Sequence, residues 1–141
     1  MKTKRVSNNI VEVDGERYIR EDLRGWLDIP ELNISVEIEV HDKNTSWDDL
    51  DLEKRENELL TAEQCIFLTN SKYAKQLKMD GSSTKDDFFI KQPFELNKKN
   101  GYVALFYAVS DRVGVDSCYD SYYRNSDLGV RFCRPLKEDG K

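Results

Sequence analysis

Residues 102–110 read Tyr102-Val-Ala-Leu-Phe-Tyr-Ala-Val-Ser110, apolar almost throughout and rich in strand formers. A strand with one wet face alternates apolar and polar side chains, whereas one buried on both faces is apolar in a continuous run. This stretch therefore predicts the central strand of the fold.

Two further strand signals are sharp. Residues 9–20 centre on Asp14-Gly15, a pair that favours a type I′ hairpin turn because both central residues need positive φ. A two-residue loop sets the register: Val13 opposite Glu16, Glu12 opposite Arg17, Val11 opposite Tyr18 and Ile10 opposite Ile19. Opposite charges and apolar pairs then meet across the strands. From Leu32 to Val40, Leu32, Ile34, Val36, Ile38 and Val40 alternate with polar residues. That period predicts one strand with a dry face and a wet face, the wet face carrying Glu37 and Glu39. Pro30, just before it, fits a break after Trp26-Leu27.

Helix signals lie between these strands. Thr45 or Ser46 can cap a short helix with Asp48 and Asp49 near its positive end, and Trp47, Leu50 and Leu52 share one side. Thr61-Ala-Glu-Gln64 fits a capping box and predicts helix from Ala62 to at least Thr69. Cys65, Ile66, Leu68, Tyr73 and Leu77 follow helical spacing, with Asn70-Ser71 as an interruption. Phe88-Phe-Ile90 reads as a short buried strand, 97–101 as a turn and 128–134 as the last strand, ended by Pro135. The reading is α+β: an N-terminal β-hairpin and antiparallel sheet with one or two helices. The 141 residues suit one domain, with a β-rich part over 1–44, a helix-plus-sheet part over 45–136 and a loose tail at 137–141.

Charge narrows the function classes. The net charge is −5, which gives no support to a general phosphate-backbone binder. The negative charge is concentrated: residues 28–63 hold 12 acidic and three basic side chains. An acidic face of this kind, with Glu37, Glu39, Asp48, Asp49 and Asp51, can steer toward a basic groove. The alternative is a solvated face that keeps the protein soluble. No signal-type apolar stretch follows the basic first residues, and no run approaches the roughly 20 residues of a membrane span. The expectation is a reduced, cytoplasmic protein, which fits the odd count of cysteines: Cys65, Cys118 and Cys133. Asn33-Ile-Ser35 and Asn44-Thr-Ser46 then read as chance matches to the glycosylation pattern.

Catalytic and metal signals are thin. His41, the single histidine, follows the alternating strand and reads as a surface residue at a strand end. Zinc needs about four Cys or His ligands at suitable spacing, and no CxxC or HxxxH pair is present. No G-x-S-x-G elbow occurs, and Gly114 and Gly129 stand alone rather than in a phosphate-cradling loop. Asp48-Asp49 and Asp86-Asp87 are adjacent in sequence, which is not convergence in space. The oxygen-rich stretch 80–86 lacks EF-hand spacing and reads as a plain loop. The expectation is no enzyme activity, no cofactor and no metal.

Residues 116–126 stand out. Tyrosine, serine, asparagine and arginine dominate binding loops, because tyrosine offers large contact area at low entropic cost. Tyr119, Asp120, Tyr122, Tyr123, Arg124 and Asn125 are therefore the candidate contact residues. An ordinary surface loop with half-buried tyrosines is the competing reading.

The C-terminal two-thirds, roughly 47–134, resembles a known scaffold. Leu59-Leu-Thr-Ala-Glu-Gln-Cys-Ile-Phe67 is similar to the LPT-x-x-E-W helix start of the formylglycine-generating-enzyme and C-type-lectin-like families, and Leu128-Gly-Val-Arg-Phe-Cys-Arg134 to their closing LGFR strand. The Tyr-rich segment before that strand resembles their variable binding loop. Leu60 stands where the pattern has proline, the tryptophan near Ile66 is missing, and Tyr107-Ala-Val-Ser110 replaces the Gly-Gly-Ser-Trp stretch of the enzyme. The resemblance implies a ligand-binding scaffold without the catalysis.

These readings converge on a module that binds another protein through the Tyr-rich loop, with no direct nucleic-acid or membrane contact. A small acidic inhibitor of a host defence protein, phage- or mobile-element-encoded and anti-CRISPR-like, is the second reading; its acidic face would block a nucleic-acid groove in the host cytoplasm. A divergent formylglycine-generating-type enzyme is the third.

Overall fold

The computed structural model describes residues 2–5, 10–19, 25–109 and 112–136. Its elements, in chain order, are β1 (Thr3–Arg5), β2 (Ile10–Val13), β3 (Glu16–Ile19), β4 (Trp26–Ile29), β5 (Ile34–Glu37), α1 (Ala62–Thr69), β6 (Asp87–Ile90), α2 (Glu95–Lys99), β7 (Tyr102–Val109), β8 (Arg112–Asp120), β9 (Leu128–Gly129) and β10 (Cys133–Pro135). This is an α+β fold. The expected tail at 137–141 lies outside the described residues.

The apolar run forms β7, and β7 is central: it pairs antiparallel with β8 on one side and β6 on the other, while β9 joins the far edge of β6 in parallel. The pleat sorts its side chains into two layers. Phe88, Ile90, Ala104 and Phe106 enter one core cluster. Phe89, Val103 and Leu105 enter a second. Helix α1 adds Cys65 and Leu68 to the first, while Trp47, Leu50, Leu52 and Leu59 build the second. Two dry faces explain why the run shows no alternation.

The hairpin forms in the register expected, from Ile10↔Ile19 to Val13↔Glu16. Asp14 and Gly15 both take positive φ, 50° and 85°, as a type I′ turn requires. Strand β1 adds a third strand that no sequence pattern announced. The capping box also forms in full: Gln64 N–H donates to Thr61 Oγ1 at 3.1 Å, and Thr61 N–H to Gln64 Oε1 at 2.9 Å.

Several expectations are corrected. The alternating stretch 32–40 is not one strand. Leu32 ends a 3₁₀ turn, Asn33 is left-handed at φ 55°, and β5 stops at Glu37. The polar side of the stretch is dry at Ser35 and Glu37, 4% and 1% exposed, while Glu39 is exposed as expected. Strand β5 is paired along both edges by β4 and β10, and its buried polar groups must find protein partners. Ser35 Oγ donates to Asp28 Oδ1 at 2.5 Å. The expected break after Trp26-Leu27 falls two residues later: β4 runs to Ile29 and Pro30 opens the 3₁₀ turn. The capped segment after Ser46 is a turn and then the 3₁₀ stretch Leu52–Glu58 rather than an α-helix. Ile66 is exposed, and Tyr73 and Leu77 lie in turns beyond α1. Helix α2 takes part of the expected turn at 97–101.

The last strand is split. Strand β9 ends at Gly129; isolated bridges then tie Val130 to His41 and Phe132 to Leu59 before β10 begins. Two residues explain the break. A Cβ on Gly129 would lie 2.3 Å from the His41 carbonyl oxygen, so only glycine permits the crossing. Arg131 is fully buried, and its Nη2 donates to the carbonyls of Ile38 at 2.7 Å and Leu77 at 2.9 Å, with the guanidinium 4.9 Å from the Phe88 ring centre. Burial lowers its pKa to about 10, which still leaves it charged at neutral pH.

Candidate functional site

The tyrosine-rich stretch is half strand and half loop. Strand β8 runs to Asp120, so Tyr119 and Asp120 stand on a sheet, and only 121–127 form the connection to β9. The sheet register shifts where Val103 pairs Tyr119 but Leu105 pairs Asp116. Two steps on β7 match three on β8, so β8 carries a bulge with one extra residue. Residues three apart on a regular strand point to opposite faces. The bulge places Asp116 and Tyr119 on one face, and Tyr119 Oη donates to Asp116 Oδ2 at 3.3 Å.

Tyr123 then folds back onto Tyr119, with ring centres 4.5 Å apart. Both rings pack against the second core layer. Asn125 Nδ2 donates to Tyr123 Oη at 3.1 Å and fixes the loop beneath it. Opposite, Gly114 leaves room for Tyr107: a Cβ there would meet the Tyr107 hydroxyl at 2.9 Å and ring carbons at 3.0 and 3.1 Å. Tyr107, Asp116, Tyr119, Tyr123, Asn125 and Asp87 line an open cleft of about 360 Å³.

Asp87, the first residue of β6, has an unusual environment. Its Oδ1 accepts the Ala108 amide at 3.2 Å. Burial, with the nearby Asp127 and Asp86 carboxylates, raises its pKa to about 6. Burial also raises the Tyr119 phenol, with Asp116 adding to it, so the ring stays neutral at working pH. Tyr122 is the outermost aromatic, 71% exposed, and its hydrogen bond to Asp120 raises its phenol.

The acidic residues divide into three groups. Glu37 does not lie on a face at all: it is buried, and its Oε1 meets the Phe132 amide at 2.7 Å and His41 Nε2 at 2.8 Å. His41 itself is buried at 8% exposure rather than on the surface, with Nδ1 2.7 Å from Asp42 Oδ2. Glu39 is exposed and pairs with Lys78 at 3.1 Å, and Asp51 pairs with Lys54 at 3.4 Å. Asp48 and Asp49 join the tyrosine-rich segment. Ser121 Oγ donates to Asp48 Oδ2 at 2.9 Å, the Asp48 amide to the Ser121 carbonyl at 3.0 Å, and Arg124 Nη2 to Asp49 Oδ2 at 2.6 Å. The Asn44 amide donates to the Asn125 carbonyl at 3.1 Å. Ser46 and Asp49 hold that turn by reciprocal bonds of 3.0 and 3.2 Å. The Tyr-rich loop and the Asp48–Asp49 turn are thus one surface. A second cleft of about 240 Å³ opens on it, lined by Trp47, Asp48, Glu53, Glu56, Tyr102 and Ser121 among others.

Sequence reasoning missed Asp87, Tyr107 and Asp116 as cleft residues. The Asp86-Asp87 pair was visible, but only strand pairing brings Asp87 to the tyrosines. Cys65 and Cys133 are not activated. Burial raises Cys65 to about 12 and Cys133 to about 11, so both stay as thiols at neutral pH, while Cys118 is exposed on β8. Among the described residues no three His, Cys, Asp or Glu side chains converge on a metal-sized site, and no helix is long and apolar enough to cross a membrane.

No family model matches the chain, and no curated protein or solved structure matches it.

Proposed function

We propose that the chain is a non-enzymatic module that binds a protein partner through the surface formed by the tyrosine-rich segment and the Asp48–Asp49 turn. The observation that carries this reading is the pinning of the loop. Backbone bonds from Asn44 and Asp48, with the Arg124–Asp49 pair, hold tyrosines and small polar residues on a fixed frame. A pre-ordered loop loses little entropy on binding, and tyrosine-rich loops gain most from that. The resemblance of residues 47–134 to the formylglycine-generating and C-type-lectin-like families implies the same segment as a binding loop. The protonated, buried Cys65 and Cys133 give no support to the enzyme reading.

The test is comparative capture from a host lysate with wild type and with Tyr122→Ala/Arg124→Ala, two exposed side chains outside both core clusters. Tyr119 and Tyr123 pack on the core, so there the probe is phenylalanine, which keeps the ring. A protein retained by wild type and lost by the variants supports the reading. Equal retention by a folded variant rejects it.

The acidic-inhibitor reading is favoured by one observation: Asp48 and Asp49 flank the same surface, so a basic partner would meet both. Glu37 is withdrawn from it by burial. Charge reversal at Asp48, Asp49 and Asp51 should then remove both retention and its salt dependence; retention unchanged at every salt concentration rejects that reading.

A further inference from the structure

The 360 Å³ cleft combines two features that rarely meet in a plain surface dent. Its walls are aromatic: Tyr107 laid across Gly114, and the Tyr119–Tyr123 pair. Among the described residues its charged groups are both acidic: Asp87 from β6 and Asp116 from β8. Two described basic groups of the surroundings are engaged elsewhere: Lys43, whose charge reaches Asp87, pairs with Asp86 at 3.1 Å, and Arg124 of the adjoining loop with Asp49 at 2.6 Å. Aromatic faces carry negative quadrupole potential and attract cations, most strongly where water is excluded. Carboxylates supply the matching charge and directional acceptors. The volume lies at the lower end of the roughly 300–1,000 Å³ of small-molecule sites, a size for one side chain rather than a large cofactor.

We infer that this cleft receives a cationic side chain, the guanidinium of an arginine or the ammonium of a lysine, held between the carboxylates of Asp87 and Asp116 and the rings of Tyr107, Tyr119 and Tyr123. The inference deepens the reading above, on which its biological role rests: it makes the partner basic at the point that enters the cleft. The bulge in β8 is the device that builds the site, since without it Asp116 and Tyr119 would face opposite ways.

The test needs no partner. The protein, uniformly ¹⁵N-labelled, is titrated with N-acetyl-arginine amide, with N-acetyl-lysine amide and with the neutral N-acetyl-citrulline amide, and amide shifts are followed. Saturable shifts at Ala108, Tyr119, Tyr123 and Asn125 are expected from a cationic probe and not from citrulline. The arm that responds identifies which cation fits. Asp87→Asn, with its fold confirmed by the unchanged remainder of the spectrum, should weaken binding about tenfold, the scale of one lost charged contact. Tyr119→Phe keeps the packing and should retain most of the affinity. Equal shifts from citrulline, shifts indifferent to Asp87→Asn, or no saturable shift overturn the inference. Loss of partner capture on Tyr122→Ala would still stand in that case, so failure of the cleft and failure of the binding surface are separable.

Discussion

The guanidinium of Arg124 lies 2.6 Å from the carboxylate of Asp49, and the pair fastens the tyrosine-rich loop to the acidic turn. Arg124 is more than half exposed, so the pair carries little stability. Arg124→Ala should change unfolding free energy by no more than about 0.5 kcal/mol. Its effect should appear in order instead: faster amide exchange at 122–126 with the core unchanged. Loss of global stability above about 1 kcal/mol, read by urea denaturation, would show that the pair does more than fasten the loop.

Glu37 and Glu39 sit two residues apart and should behave oppositely. Glu37 Oε1 accepts from the Phe132 amide and meets His41 Nε2, all in a buried setting. Removing it strands a buried backbone donor and a buried imidazole nitrogen, which costs about 2–4 kcal/mol. Glu39→Ala loses only an exposed pair with Lys78 and should stay within about 0.5 kcal/mol. Urea denaturation of the two single variants gives the contrast directly, and equal costs would contradict the buried placement of Glu37.

That contrast also marks where the sequence stops being legible. Local chemistry read well: Asp14-Gly15 set the hairpin, Thr61 and Gln64 capped α1, and residues 102–109 of the apolar run became the central strand. Each depends on residues close in sequence or on composition alone. The alternation at 32–40 misled because Phe132, almost a hundred residues on, brings its amide to the Glu37 carboxylate, and His41 closes over the same group. His41 misled for the same reason, since Phe132 and Glu37 enclose it. At the site, the tyrosines and the acidic pair at 48–49 were visible as two features. Their junction through Ser121 and Arg124, and the bulge that turns Asp116 toward Tyr119, belong to pairings across the chain that no period records.

Gly114 tests the shape of the cleft. A methyl group there would press on the hydroxyl and ring of Tyr107 at 2.9–3.1 Å. The obstacle is the free end of a side chain, so Tyr107 can swing aside and the cost should stay near 1 kcal/mol, at the low end for overpacking. Gly114→Ala should therefore fold while its Tyr107 ring shifts, visible as changed ring-proton resonances and altered amide shifts at Asp116 and Tyr119. Unchanged resonances would mean that Tyr107 does not lie over this glycine.

Asp87 gives the clearest pH signature. Its carboxyl titrates near 6 in the folded chain because burial, Asp127 and Asp86 all oppose its charge, while the Ala108 amide and Lys43 offset only part of this. Asp116, across the cleft, is a further carboxylate. An unfolded aspartate titrates near 3.9. Between those values the folded chain binds more protons, so this group makes stability fall as pH rises from about 4 through 6. Above that window the full penalty applies; below it none does. Asp87→Asn keeps an acceptor for the Ala108 amide and removes the charge. At pH 7.5 the variant should be more stable than wild type by about 1–2 kcal/mol, a figure reduced for partial exposure. The gain should shrink as pH falls through about 6 and vanish near 4. Paired urea denaturations across that range measure it. A variant that is less stable at pH 7.5 would show that the carboxylate is held by its neighbours rather than opposed by them. A gain at pH 7.5 means that the fold tolerates an unfavourable charge in the cleft, a cost recovered when a cation binds there.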